Sequence, residues 1–137
     1  MELREKILDV TGGPHTAAVA MMDGDRPAAR LMLLIGYPDM TLVGGTMKSS
    51  RKLAQLRKNA GVAIAIWKGK EITDPYVEIR AQATIHDDIA TRKKYWNPVF
   101  VPYFQSVDNP DFVVLHFTAD EITYYIPSMR RREVWKR

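Results

Sequence analysis

"YVEIRAQATIH", residues 76–86, alternates apolar and polar side chains along its whole length. Alternation with a period of two is typical of a β-strand that buries one of its faces. The apolar face carries Val77, Ile79, Ala81, Ala83 and Ile85. The other face is polar, so it meets water, a partner chain or a ligand. This segment indicates a chain built mainly from strands.

The segments before it also indicate strands separated by turns. Residues 15–22, 28–36 and 40–46 are rich in apolar and β-branched side chains, and "DGDRP" and "YPD" between them are typical turn sequences. We expect these three segments to form an antiparallel meander. A β-branched run at 61–68 predicts a further strand.

Two short helices are predicted between the strands. The first covers residues 49–59, where Leu53 and Leu56 recur at helical spacing. The second is capped by Asp87 or Asp88 and ends near Trp96, before a bent connection that two prolines interrupt. Two last strands are expected at 111–120 and 121–127. Roughly six strands and two short helices predict a mainly β fold, a small closed or partly closed antiparallel barrel.

Composition limits the class of protein. The chain has 137 residues, 46% of them hydrophobic and 26% charged, which predicts one globular domain over residues 1–137. No apolar stretch is long enough to cross a bilayer, and the N-terminal segment lacks the apolar core of a signal peptide. The chain has no cysteine, which excludes disulfides and a cysteine nucleophile. We therefore expect a cytoplasmic protein.

The net charge is +4, and the excess of basic residues lies in 48–58 and in the tail "MRRREVWKR". Short basic runs of this kind are usually solvated. The sequence has no helix-turn-helix, zinc-finger or RNA-recognition signature, so its charge pattern does not favour nucleic acid as a partner.

Few residues suggest hydrolytic or metal chemistry. His15, His86 and His116 are far apart and lack the spacing of metal ligands, so we interpret them as structural or merely partly exposed. Ser49 and Ser50 lack the Gly-x-Ser-x-Gly turn of a hydrolase nucleophile and fit helix capping or anion binding instead. No metal site is expected.

The stretch "GGTMKSSRKLAQLRKN", residues 44–59, places cations in the first turn of the first predicted helix. The partial positive charge of a helix N-terminus favours anions there. Arg30 lies in an apolar strand and needs either solvent or an anionic partner. If the second and third strands are neighbours, the groups that converge are Arg30, Thr46, Ser50, Arg51 and Lys52. Such a set suits a phosphate, whereas the alternative is a solvated basic helix face with a serine cap; spacing does not decide between them.

The sequence also resembles a known family. "ARLMLL" at 29–34 and "LVGGTMKSSRKLAQLRKNAGVAIAI" at 42–66 resemble the FMN-binding split barrel of the pyridoxamine-phosphate oxidase superfamily, in particular its general stress protein branch. The resemblance continues through the strand at 76–86, "YWNP" and "VVLHFTADEITYY". It covers the chain from about residue 15 and implies a six-stranded antiparallel split barrel.

The resemblance implies a homodimer that binds FMN in two clefts at the subunit interface. The strand along the flavin ring is matched by Arg30, Leu31, Met32 and Leu33, with Arg30 reaching the phosphate. The end of the next strand is matched by Gly45 and Thr46, and the phosphate-binding helix start by Ser50, Arg51 and Lys52.

Three aromatic residues complete the implied cofactor site. Tyr76 stands where the oxidase has a glutamine contributed by the other subunit. Trp96 and Tyr125 are candidates for lining the ring or the substrate cleft, and each could equally belong to the core.

The sequence departs from the oxidases in two places. It has Arg-Leu-Met where the branch pattern has Arg-Pro-Met, and it has no counterpart of the C-terminal Arg-Leu-His-Asp-Arg segment that grips the substrate. Oxidation of vitamin B6 is therefore not expected. The resemblance implies an FMN-dependent oxidoreductase acting on a small molecule, in which the flavin carries the electrons and no catalytic side chain is assigned. The alternatives are a flavin-binding stress, reservoir or sensor protein with little turnover, or the same barrel with a deazaflavin or haem.

Overall fold

The computed structural model describes all 137 residues and contains seven strands, four α-helices and two 3-10 turns. The strands are β1 Gly13–Asp23, β2 Arg26–Gly36, β3 Thr41–Met47, β4 Gly61–Trp67, β5 Tyr76–His86, β6 Phe112–Ile126 and β7 Arg131–Lys136. The α-helices are α1 Leu3–Thr11, α2 Arg51–Lys58, α3 Ile89–Tyr95 and α4 Val101–Phe104. The 3-10 turns are Pro98–Phe100 and Pro127–Met129. None of these helices is both long and apolar enough to span a lipid bilayer.

Strands β1 to β6 form a closed antiparallel barrel, which confirms the mainly β prediction. The sheet runs in the order β3-β2-β1-β4-β5-β6-β7, and β3 also pairs with β6 to close the ring. β1 and β2 form a long hairpin whose register ends at Asp23 and Arg26. Gly24 has a φ of 65° at the tip, a conformation that glycine adopts without steric cost.

The barrel is split between β2 and β3. Their ladder has only three positions, from Leu34 opposite Gly44 to Gly36 opposite Leu42. β3 then continues along β6 as far as Met47, which pairs with Phe112. The part of β2 before Leu34 therefore has β1 on one side and no strand on the other.

Two apolar clusters lie on opposite faces of the β2–β3–β6 region. The larger fills the barrel and receives Ile7 and Val10 from α1 and Leu53 and Leu56 from α2. The smaller lies outside the barrel wall, where α3, α4 and the turn between them cover it. It contains Ile35, Val43, Phe100, Phe104, Phe112 and Val114.

The C-terminal part of the fold differs from the sequence-based prediction. The two strands expected at 111–120 and 121–127 are one strand, β6. Arg80 pairs with Glu121 and Ala81 with Ala119, so Asp120 is an extra, bulged residue. A bulge lets a strand bend without ending. The bend lies at residues 120 and 121, the position where the prediction divided the two strands.

Several elements were not predicted. α1 was assigned no structure, and the basic tail expected to be solvated contains β7, in which Trp135 packs against the barrel core. The alternation of β7 was hidden by its charged residues. The bent connection expected at 97–104 contains a 3-10 turn and the short helix α4. By contrast, Ser50 and Asp88 cap α2 and α3 as predicted.

Candidate functional site

A cleft of about 490 Å³ lies where β2 and β3 separate. The strands contribute Leu31, Met32, Leu33, Gly45, Thr46 and Met47, and α2 contributes Lys52. Thr16 of β1 and a wall of three aromatic side chains, Phe100, Tyr103 and Phe104, complete it. Most of the residues that line the cleft are therefore hydrophobic, and Lys52 places a cation at the end formed by α2.

The aromatic wall is held by the smaller apolar cluster. The rings of Phe104 and Phe112 lie 4.7 Å apart between centroids, and Phe100 lies 5.7 Å from Phe112. Gly45 permits this packing, because a Cβ atom at that position would lie 2.6 Å from Phe104 and 2.8 Å from Phe112. The aromatic rings therefore fix the space beside β3.

Gly45→Ala is expected to destabilise the protein by about 1 to 3 kcal/mol, the usual cost of forcing extra volume into a packed region. The added methyl group must displace the ring of Phe104 or Phe112. Urea denaturation followed by circular dichroism measures the change. An unchanged unfolding midpoint would show that the rings move aside freely.

A basic corner closes the α2 end of the cleft. Arg30 donates a hydrogen bond of 2.6 Å from Nη2 to Gln55 Oε1, while its buried Nε has no partner. Burial, followed by the charge of Arg30, lowers the pKa of Lys52. Neither cation has a carboxylate within 4.0 Å, the limit for the four ion pairs that the chain forms. The corner therefore holds two neighbouring positive charges that no side chain neutralises.

Ser50 shapes the same corner from the start of α2. Its Oγ accepts a hydrogen bond of 3.3 Å from the backbone N–H of Lys52. The serine therefore serves as the helix cap that one interpretation of the sequence suggested. This leaves its hydroxyl proton available to a ligand.

The remaining predicted site residues lie elsewhere in the protomer. Arg51 faces a separate cavity beside the β1–β2 hairpin. Tyr76 and Tyr125 stack at 4.8 Å, next to the arginines that begin β7. Trp96 packs edge-on against Phe112 at 5.3 Å, behind the cleft wall. One protomer thus brings together the β2, β3 and Lys52 residues of the predicted site, with Arg30 next to Lys52.

Sequence reasoning missed the aromatic wall. Phe100, Tyr103 and Phe104 come from the stretch "NPVFVPYF", which the sequence pattern predicts to be a bent, aromatic-rich connection, with no role in the site assigned to it. Its density of aromatic residues was the available signal. Which of them faces the cleft depends on how α4 docks against β3 and β6, and local sequence does not encode that docking.

Comparison with known proteins agrees with this architecture. A sequence profile described as pyridoxamine 5'-phosphate oxidase matches residues 3–126. The chain belongs to the pyridoxamine 5'-phosphate oxidase family. Among solved structures, the General Stress Protein 26 of Bacillus anthracis str. Sterne aligns with a TM-score of 0.84 and 24% identity, covering 100% of both chains. This match shows that the two chains share the same fold over their whole length.

Other solved structures share the fold at lower identity. A FAD-binding protein from Mesorhizobium loti aligns with a TM-score of 0.73 and 13% identity over 90% of this chain and 94% of its own. An F420 reductase aligns with a TM-score of 0.65 and 16% identity over 84% and 94%. No curated protein matches the sequence.

The histidines of this family member lie outside the cleft. His86 and His116 face each other at 6.4 Å between ring centroids, and Tyr95 of α3 lies 5.5 Å from His116. Burial, and then the charge of His86, lowers the pKa of His116, while Asp39 acts in the opposite direction. The chain has no group of three or more metal-ligating side chains.

Stability is expected to fall as the pH drops below about 6.5, the ordinary pKa of histidine. Below that value the unfolded chain binds a proton at His116, whereas the folded protein binds it only at lower pH, because its pKa is lowered. Urea denaturation between pH 8 and 5 measures the slope. His116→Gln is expected to reduce that slope; an identical slope in both proteins would contradict the assignment.

Proposed function

We propose that the chain binds FMN in the cleft between β2 and β3 and acts as an FMN-dependent oxidoreductase on a small molecule. The observation that carries the proposal is the continuity of the apolar, aromatic-walled cleft with a corner of two unpaired cations, Arg30 and Lys52. A ring system joined to a phosphate is complementary to this site, because its apolar end matches the aromatic wall and its anionic end matches the two cations.

The cleft fits such a ligand in size and chemistry. Its volume of about 490 Å³ lies within the range of small-molecule sites. The buried Nε of Arg30 lacks a hydrogen-bond acceptor, and the charge on Lys52 is disfavoured by burial and by Arg30. A phosphate would supply acceptors to the first and a countercharge to both.

The protein groups would hold and orient the cofactor. Lys52, Arg30 and the hydroxyl of Ser50 would hold the phosphate. Because β2 has no strand beside it before Leu34, its backbone N–H and C=O groups can hydrogen-bond to the ring edge. The flavin itself supplies the capacity to accept and donate electrons. Named flavin-type ligands of two proteins on this fold, FAD and F420, support the class of cofactor.

A homodimer is part of the proposal. Leu31 is 76% exposed and Tyr103 is 63% exposed, although both line the cleft. A partner that covered them would bury apolar surface at the mouth of the cleft. Tyr76 and Tyr125 do not reach the cleft of their own protomer, so they could contribute to a cofactor site only across such an interface.

Two observations bear on the alternatives. A haem needs an axial ligand such as histidine, methionine or tyrosine; none of the three histidines lines the cleft, whereas Met32, Met47 and Tyr103 do, so haem stays among the alternatives. A deazaflavin has a similar tricyclic ring, so the F420 reductase on this fold keeps that cofactor as the second candidate. A reservoir or sensor protein would use the same cleft without turnover.

The purified protein is expected to bind FMN with a 1:1 stoichiometry per chain and to show the visible spectrum of an oxidised flavin. Calorimetric titration with FMN measures binding, and failure to bind would reject the proposal. Oxidation of a reduced nicotinamide cofactor with quinone, nitro or flavin acceptors then separates the functions. Turnover supports the oxidoreductase, whereas bound FMN without turnover supports the reservoir or sensor.

A further inference from the structure

A second cavity, the hairpin cavity, lies between the tip of the β1–β2 hairpin and α2. Its volume is about 400 Å³. Asp23 and Gly24 line it from the hairpin, and Arg51, Ala54, Gln55 and Lys58 line it from α2. It is separate from the cleft between β2 and β3, with which it shares no lining residue.

The α2 side of the hairpin cavity is a polar helix face turned toward a neighbouring element. Its four residues follow the spacing i, i+3, i+4 and i+7, so they form one stripe on the helix. A stripe that packs against a neighbour is normally apolar, as Leu53 and Leu56 are on the buried side. Here the small side chain of Ala54 lies between cations, and the space above it is empty of protein. Gln55 is buried and holds Arg30. Arg51, Ala54 and Lys58, however, are exposed and do not serve packing.

The charges around the hairpin cavity favour an anion. Arg51 and Lys58 form no ion pair with any carboxylate, and Gln55 is hydrogen-bonded to Arg30, which forms none either. Asp23 is the single acidic residue in the lining. Arg51 and Lys58 lie in the lining, and Gln55 holds Arg30 next to it. These three cations outnumber Asp23, so the cavity has an excess of positive charge.

The hairpin cavity adjoins the basic corner of the cleft. Arg51 and Lys52 are consecutive residues, and the first lines the cavity whereas the second lines the cleft. Gln55 lines the cavity and accepts a hydrogen bond from Arg30. Burial lowers the pKa of Lys52, and the charge of Arg30 lowers it further. A phosphate bound at the corner would therefore have the cleft on one side and the hairpin cavity on the other.

We propose that the hairpin cavity binds an anionic group that continues beyond the cofactor's first phosphate, of the size and charge of the adenylate half of FAD. This inference rests on the proposed flavin site and extends it by a second subsite. Arg51 and Lys58 would pair with the second phosphate, while Gln55 and the backbone of the hairpin tip would face the nucleoside. The volume of the cavity lies within the range of small-molecule sites.

The test compares FAD with FMN by isothermal titration calorimetry on the intact protein. Wild type is expected to bind FAD at least threefold more tightly than FMN. Ala54→Trp fills the cavity from an exposed helix position and is expected to weaken FAD at least tenfold while changing FMN by less than twofold. Thermal unfolding of the variant verifies that it is folded.

A second pair of variants tests the cavity by charge, in case the tryptophan disturbs α2. Lys58→Glu reverses a charge in the cavity lining, and Arg57→Glu makes the same change one residue away, outside that lining. Lys58→Glu is expected to weaken FAD at least tenfold more than Arg57→Glu does, with similar FMN binding in both. FAD binding no tighter than FMN binding in wild type, or equal effects of the variants on both cofactors, would overturn the inference. Such a result with FMN still bound would leave the cleft proposal intact, whereas failure to bind FMN at all would reject both.

Discussion

Phe112→Ala is expected to lower the free energy of unfolding by about 3 to 5 kcal/mol, the usual cost of removing a buried phenylalanine side chain. Phe112 is fully buried and contacts the rings of Trp96, Phe100 and Phe104. It also pairs with Met47 at the end of the ladder between β3 and β6. The substitution thus leaves a cavity at the centre of the smaller apolar cluster.

Urea denaturation of the two proteins measures this change, with Phe112→Leu as the matched control. Leucine keeps much of the buried volume, so its loss should be less than half that of alanine. Because Phe100 and Phe104 also form the cleft wall, the alanine variant should bind FMN more weakly as well. A loss below 1 kcal/mol for alanine would show that the cluster is not a second core.

The barrel was predictable because its strands carry local signals. The alternation of residues 76–86 gives the bounds of β5 as the structure has them, and "DGDRP" marks the hairpin between β1 and β2. The continuity of β6 was not predictable, since the polar bulge at Asp120 looks like a turn. β7 was hidden for a similar reason, because its inward face includes Glu133, which pairs with Lys6 of α1 at 2.8 Å. In both places a tertiary contact overrides the local pattern.

The candidate site was predictable only as a set of residue types. Sequence reasoning grouped Arg51 with Lys52 because they are adjacent, yet adjacent helical residues point about 100° apart. The structure accordingly places Lys52 in the cleft and Arg51 in the hairpin cavity. The partner of Arg30 could not be inferred either, because Gln55 lies 25 residues away and is brought close by the docking of α2 on the barrel.

Because Lys52 and Arg51 face different cavities, each of the two interpretations of the basic helix start describes a different residue. A solvated face with a serine cap describes part of it, since Ser50 does cap α2 and Arg51 is exposed. Lys52 does not fit that description. It is half-buried, lies next to another cation and has no acidic partner, which is unfavourable in the protein without a ligand. A bound phosphate would neutralise the unpaired charge of Lys52. Removing that charge should therefore weaken ligand binding but leave the ligand-free protein as stable as before or more stable.

Lys52→Met is expected to weaken FMN about 10- to 100-fold, the range for losing one charge-assisted contact. Methionine retains much of the apolar stem, so the cleft keeps its shape. Riboflavin lacks the phosphate and should change by less than threefold. Calorimetric titration of both ligands measures the difference, and Arg57→Ala removes a charge from α2 outside the cleft as the control.

Stability of the ligand-free variant provides an independent measurement. The folded-state pKa of Lys52 is lowered from its ordinary value of 10.5, so the unfolded chain holds this proton more strongly than the folded one. Wild type should therefore gain stability as the pH rises through the lowered pKa toward 10.5, and Lys52→Met should show less of that gain. At pH 7 the ligand-free variant should unfold at the same temperature as wild type or higher. Equal losses of FMN and riboflavin affinity, together with a lower unfolding temperature, would instead make Lys52 a packing residue and reject its role at the phosphate.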